Sequence, residues 1–341
     1  MRRSKRTRPR IVAITGASAG MGRATAHRFV RSGAAVALIA RDQAALEETR
    51  AELEALGGKV MAIPLDVADA DALFAAARDI EAELGPIDVW VNDAMATMFA
   101  PVSDMTPEEF RRVTETTYLG FVHGTMAALQ QMSRRNQGVI VQVGSSLAYR
   151  GIPLQSAYCG AKHAIRGFTD SLRCELIHAR SRIQLTMVHL PAINTPQFDW
   201  ARTRLPHEPR PVAPVFQPEV AADAIYHASR NPHREVWLGA STAKLILANA
   251  LAPWCLDRYL ARTCYSGQQR RAKLPSGRPD NLFHPVHGPH RMHGSFDSEA
   301  SASAQAFSGN ATRLAAAVAG FGVALAAGIL ARSILSLPPK R

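Results

Sequence analysis

The sequence predicts an α/β protein built on a doubly wound parallel sheet, and three observations carry that prediction. Short apolar runs bounded by turns or helical stretches recur at residues 11–15, 35–39, 60–65, 87–92, 139–143, 184–190 and 235–238. Stretches with helical periodicity lie between them, at 43–56, 69–84 and 106–134 among others. The first apolar run leads directly into a glycine-rich turn that opens a helix. Strands that alternate with helices pair in parallel and are covered on both faces.

Composition narrows the class. With 341 residues and 47% hydrophobic content, the chain is long enough for one large domain or two small ones around a globular core. Its cysteines, Cys159, Cys174, Cys255 and Cys264, form no CxxC pair or zinc spacing, which fits reduced thiols in a cytosolic setting. The net charge of +12 owes half its size to the first ten residues, MRRSKRTRPR, which carry six basic side chains and no acid. Such a run reads as a solvated tail. No interleaving of aromatic and basic residues, helix-turn-helix or zinc-finger spacing follows it, which argues against nucleic acid as a partner. The tail also lacks an apolar segment before Ile11 and a small-residue cleavage site, so it is not a secretory signal. The main domain is expected in the cytoplasm.

The elements can be justified in order. Strand 11–15 runs into "TGASAGMG", with Gly16, Gly20 and Gly22, and a helix begins near Met21. Glycines there let the backbone turn sharply and approach a pyrophosphate, whose charge the helix N-terminus meets. The second strand ends in "LIARD", where Ala40 stands at the position of an acid that would grip a ribose 2′-hydroxyl and Arg41 follows. An arginine there accommodates a 2′-phosphate and favours NADP(H) over NAD(H), with Asp42 remaining as an alternative ribose ligand. The helix from 106 opens with "TPEEF": Thr106 caps, Pro107 suits the first helical position and Glu109 completes a capping box. The fourth strand ends in "NDAM", residues 92–95. After the fifth strand comes "GSSLAYRGIPLQSAYCGAK", which places Ser145 thirteen residues before Tyr158 and Tyr158 four before Lys162.

These motifs, in this order, resemble the classical short-chain dehydrogenase/reductase family: TGxxxGxG after strand one, a serine after strand five and YxxxK on the next helix. The resemblance spans about residues 11–238 and implies a Rossmann fold, an oxidoreductase and a nicotinamide cofactor. It implies that Tyr158 gives a proton to a carbonyl oxygen, or takes one from an alcohol, while Ser145 donates a hydrogen bond to the same oxygen. Lys162 would hold the nicotinamide ribose, and its charge would stabilise the phenolate of Tyr158, one helical turn away. The stretch 156–172 holds no acid before Asp170 to cancel that charge. Ser146 competes with Ser145, and the thirteen-residue spacing favours Ser145. Gly16, Ser18, Gly20, Met21, Gly22, Arg41, Asp66, Asn92, Tyr158, Lys162 and Thr195 are the expected cofactor-binding residues, Asp66 at the adenine unless it merely caps a helix. Members commonly pair through their long helices, so a homo-oligomer is implied.

Several positions depart from the family pattern. Asp93 and Met95 replace the asparagine and glycine of Asn-Asn-Ala-Gly, and Ala192 replaces the glycine of Pro-Gly after strand six. In "TETTYLG", Thr117 stands where an asparagine supports a relay water, and its hydroxyl is expected to be able to hold that water. These departures leave open a cofactor-binding sensor or scaffold that does not turn over.

The chain after 240 is an extension. Residues 194–217 are rich in proline and arginine and are expected to form a lid whose Phe198, Trp200 and Phe216 wall a substrate site. Residues 241–310 begin helical and become irregular; "HPVHGPHRMH" at 284–293 reads as a polar tail packing on the domain, and no metal site is expected there. The stretch 314–331 is uncharged, and as a helix would span about 27 Å. A membrane-anchoring helix over 311–335 is therefore expected, and with it a lipophilic carbonyl or alcohol substrate.

Overall fold

The computed structural model describes residues 9–288 and 290–318. All seven expected strands form, as β1 (Ile11–Thr15), β2 (Ala35–Ala40), β3 (Val60–Pro64), β4 (Val89–Asn92), β5 (Val139–Ser145), β6 (Gln184–Leu190) and β7 (Glu235–Leu238). They lie in the order β3-β2-β1-β4-β5-β6-β7, each parallel to its neighbours. An eighth strand, β8 (Ala306–Ser308), runs antiparallel along β7, with Val236 opposite Ser308. The extension therefore completes the sheet at one edge.

Alternation along the strands divides the core in two. Val12 and Ile14 of β1 face one layer, and Ile11 and Ala13 face the other. Phe29 of α1 (Gly20–Val30), Leu46 of α2 (Gln43–Ala55) and Ile225 of α7 (Pro218–Arg230) pack on the first. Leu73 of α3 (Ala70–Glu83), Ala127 of α5 (Gly120–Met132) and Leu172 of α6 (Ser156–His178) pack on the second. Each such leucine, isoleucine or phenylalanine side chain contributes about 1.5–3 kcal/mol by leaving water.

The helix expected over 106–134 is interrupted. Its capping box forms at the start of α4 (Pro107–Thr114), where Thr106 and Glu109 each bond the other's backbone N–H, at 3.3 and 2.9 Å. A π-helical turn at Glu115–Leu119 then separates α4 from α5. Within that turn Thr117 faces inward and bonds the backbone of Ala96, so a side chain is turned toward the strand-four loop. Inserted turns of this kind are common beside functional sites.

After β7 the chain forms α8 (Gly239–Leu251) and α9 (Pro253–Gly267). It then crosses the carboxyl ends of the strands between residues 281 and 296 before β8. Residues 309–318 are helical, with Leu314 and Val318 exposed. Residues 319–341, most of the expected membrane-anchoring segment, lie outside the described residues, as do residues 1–8 of the basic tail. Among the described residues, no helix is long and apolar enough to cross a membrane.

The approach of α5 to β4 depends on Gly124. A Cβ there would sit 2.2 Å from Asn92 Oδ1 and 2.9 Å from Trp90 Nε1. Gly124→Ala is expected to cost about 1–3 kcal/mol of stability through overpacking, read as a lower urea midpoint at unchanged slope.

Candidate active site

Strand order reverses beside β1: β2 and β3 lie on one side of it and β4 on the other. A crevice opens at that point beyond the carboxyl ends, as open α/β sheets require. Gly16, at φ +75, leaves β1 so close to β4 that a Cβ would lie 2.9 Å from Ala94 Cα. A Cβ on Gly22 would lie 2.2 Å from Gly16 O, so this glycine packs α1 against the turn and does not line the crevice. Gly16, Ser18, Gly20 and Met21 do line it, together with Arg41, Asp66 and Thr195.

At the far end of the crevice, Arg41 donates to the carbonyls of Asn281, Leu282 and Phe283, at 2.5, 3.4 and 3.2 Å. Asp66 pairs with Arg112 and accepts from Ala68 N at 3.0 Å; the N-cap of α3 is Asp69, so Asp66 does not cap that helix. Asp42 caps α2 through Ala45 N at 2.9 Å. The crossing segment reaches the phosphate end too, where Gly20 N donates to Arg291 O at 3.0 Å and Arg23 to His290 O at 2.7 Å. Under this cover the crevice measures about 170 Å³.

A second cavity of about 520 Å³ adjoins the first, sharing Met21, Asp93, Met95, Thr195 and Gln197 with it. Ser145 at the end of β5 and Tyr158 and Lys162 from the first turns of α6 converge on it. The Ser145 and Tyr158 hydroxyls belong to the same cavity wall, and Ser145 favours the ionised phenol. Ser145 Oγ accepts from Leu147 N at 3.1 Å, and its carbonyl bonds the buried His189 ring at 3.0 Å. Lys162, 3% exposed, donates to Val143 O at 2.7 Å and stands 4.6 Å from the Phe121 ring centre and 5.6 Å from that of Tyr158.

The electrostatics correct one expectation. Local sequence leaves the Lys162 ammonium without a carboxylate, but the fold brings Asp93 from the end of β4 to act on it. Burial lowers the proton affinity of Lys162, and Asp93 opposes that. Burial likewise pushes the Asp93 carboxyl up, against the pull of Lys162. The phenol of Tyr158 is pushed up, by burial first, then by the Cys159 thiol and Asp93, while Ser145 works the other way.

Other sites also differ from expectation. Asn92, expected at the cofactor, is fully buried and lines neither cavity. Its amide serves Trp90 Nε1 at 2.8 Å, Gln142 Oε1 at 2.9 Å and Thr125 Oγ1 at 3.0 Å, because its side chain points into the α5 layer. The Thr117 hydroxyl donates to Ala96 O at 2.8 Å and accepts from Ala96 N at 2.9 Å, which leaves it poorly placed to hold a water. Of the three aromatics in the expected lid, Phe198 lines the larger cavity, Trp200 lines the crevice against His290, and Phe216 joins the core. The walls that sequence reasoning missed come from the extension: Leu245, Leu256, Tyr259 and Leu260 on the large cavity, and Asn281 and Val286 on the crevice. The sequence shows that residues 241–310 begin helical, but not which face meets the site.

Comparison with known proteins agrees with this geometry. The family model for short chain dehydrogenase matches residues 10–204. YxnA of Bacillus subtilis, an uncharacterized oxidoreductase, is 32% identical over 274 residues, covering 80% of this chain and 76% of its own. Estradiol 17-beta-dehydrogenase 11 of Homo sapiens is 28% identical over 261 residues, covering 76% and 84%. Among solved structures, the alcohol dehydrogenase of Thermococcus sibiricus complexed with 5-hydroxy-NADP aligns with a TM-score of 0.57 at 26% identity, covering 67% of this chain and 95% of that one. The chain belongs to the short-chain dehydrogenase/reductase family, whose members are NAD(P)-dependent oxidoreductases.

The crossing segment is tied down by His293, whose ring nitrogens lie 2.8 Å from Glu219 and from Asp297. Burial lowers the proton affinity of this ring, but the two carboxylates outweigh burial and raise it overall. A raised folded-state value stabilises fully below the ordinary histidine pKa of about 6.5 and is lost as pH rises through the folded value. Backbone hydrogen exchange across 290–297, corrected for its intrinsic pH dependence, should therefore quicken between about pH 6 and about pH 8. In His293→Gln it should be fast at both.

Proposed function

We propose that this protein is an NADP(H)-dependent oxidoreductase that interconverts an apolar carbonyl compound and its secondary alcohol. The observation that carries the reading is the convergence of Ser145, Tyr158 and Lys162 on one cavity that opens into the glycine-lined crevice. The turn fits a dinucleotide in kind: glycines at φ +75 and +55 let the backbone approach a ligand closely, and the N-terminus of α1, where Gly20 N now donates to Arg291 O, would meet its phosphates.

When bound, the nicotinamide supplies or accepts the hydride. The chain's own residues manage the oxygen and its proton. Ser145 orients the substrate oxygen by a hydrogen bond, and Tyr158 protonates it in the reducing direction. A phenol held proton-bearing by burial suits that task. Lys162 fixes α6 against β5 through Val143 O and keeps a positive charge beside the phenol.

Arg41, with Arg112 beside it and Ala40 in place of an acid, supports a 2′-phosphate and so NADP(H). That phosphate would compete with three carbonyl oxygens of the crossing segment for the guanidinium. The Thermococcus relative, which carries an NADP derivative, supports the same choice. An apolar substrate is supported by Ile152, Leu190, Phe198, Leu245 and Leu256 around the cavity and by the relative named for estradiol.

One assay tests the reading: absorbance of NADPH and NADH with a panel of apolar ketones. Tyr158→Phe should lower kcat at least about a hundredfold with cofactor Kd unchanged. Arg41→Asp should weaken NADPH binding roughly tenfold or more, shifting preference toward NADH. Wild-type protein that binds NADPH yet reduces no ketone and oxidises no alcohol would be a cofactor sensor instead.

A further inference from the structure

Each reduction removes a proton from Tyr158, and that proton has to be replaced from solvent across a buried site. The neighbouring hydroxyls do not provide the route. Ser145 Oγ is already bonded by Leu147 N, and Thr117 is closed on Ala96 in both directions. Lys162 is sealed at 3% exposure, with Val143 O as its hydrogen-bond acceptor.

Asp93 has the missing placement. It is 6% exposed, and its backbone N–H is fixed by Thr15 Oγ1 at 3.0 Å. Its Oδ1 is buried without a hydrogen-bond partner, which is costly unless the group is used. It belongs to the walls of both the crevice and the large cavity. The ionisable groups facing it are Lys162 and Tyr158, both from α6, with Cys159 behind the phenol. The surrounding side chains of α1 and the strand-four loop, Met21 and Met95, are uncharged.

Building on the oxidoreductase reading, we propose that Asp93 is a proton-relaying residue that acts through Lys162, returning to it the proton that Lys162 passes to Tyr158. In reduction, the Tyr158 O–H bond breaks as its proton joins the substrate oxygen. A Lys162 N–H proton, handed over by way of one water, re-forms the phenol and leaves a neutral amine. The Asp93 O–H proton, carried by water in the cavity that both residues line, restores the ammonium, and the resulting carboxylate takes a proton from solvent at the crevice. One solvent proton enters per turnover and no electrons move beyond the hydride pair; oxidation runs the same chain backwards. Burial suits both partners to this exchange, because it weakens the hold of Lys162 on its proton and strengthens that of Asp93.

Asp93→Asn in the full chain is the test, with Asp93→Glu as the conservative control. The expected result is an unchanged NADPH Kd, a kcat for reduction lowered roughly tenfold to a hundredfold, and loss of the fall in kcat with rising pH that the relay requires of the wild type. The glutamate variant should regain that pH dependence. Infrared titration of the protein without cofactor or substrate provides an activity-independent readout. A protonated-carboxyl band should persist in the wild type well above the ordinary aspartate range and be missing in Asp93→Asn. Turnover with an unaltered pH profile, or a wild type lacking that band, overturns the relay. A normal band in a wild type that turns nothing over would instead sink the oxidoreductase reading.

Discussion

The site depends on one buried ammonium. Lys162 reaches from α6 to the carbonyl of Val143 on β5, so the helix that carries Tyr158 is fastened to the strand that ends in Ser145. An ammonium 3% exposed is expensive unless other groups compensate. Here the compensation comes from the Val143 carbonyl and the Phe121 ring face, with the Asp93 carboxyl group near the end of β4. Two strands and one helix are thereby held in a single relative position, which is the position in which the Tyr158 and Ser145 hydroxyls share one cavity wall.

The same strand ends govern the neighbouring crevice. Gly16 allows β1 to turn beside Ala94, and Gly22 allows α1 to follow closely behind. The strand-four loop is thus shared: its backbone bounds the nucleotide side while its Asp93 side chain faces Lys162. Residues from the extension roof both spaces. Helices α8 and α9 cover the large cavity, and the segment around 281–291 lies on the crevice with its carbonyls on Gly20 and Arg41. Function in this chain therefore involves about fifty residues that follow the seventh strand, well beyond the motif-bearing core.

Much of this was legible in the sequence. The seven apolar runs, the glycine turn, the capping box at Thr106 and the Ser145–Tyr158–Lys162 spacing are local signals, since strand and helix periods and i, i+4 proximity act over a few residues. What the sequence concealed was long-range. The separation of Asp93 from Lys162 along the chain hid an electrostatic influence that only the parallel packing of β4 and β5 creates. The Asn92 side chain could not be assigned to a layer without the strand's exact facing, and Thr117 could not be seen to close on Ala96 without the π-helical turn. The histidines of 284–293 gave no local sign that their backbone would lie on the glycine turn.

The buried Asp93–Lys162 pair can be measured directly, without substrate or cofactor, by a double-mutant cycle in chemical denaturation. Wild type, Lys162→Met, Asp93→Asn and the double variant would be compared near neutral pH. The account predicts a coupling of about 1–3 kcal/mol, with Lys162→Met alone losing stability because it strands a buried carboxyl, and Asp93→Asn recovering part of that loss in the double variant. Simple addition of the two single losses would contradict it.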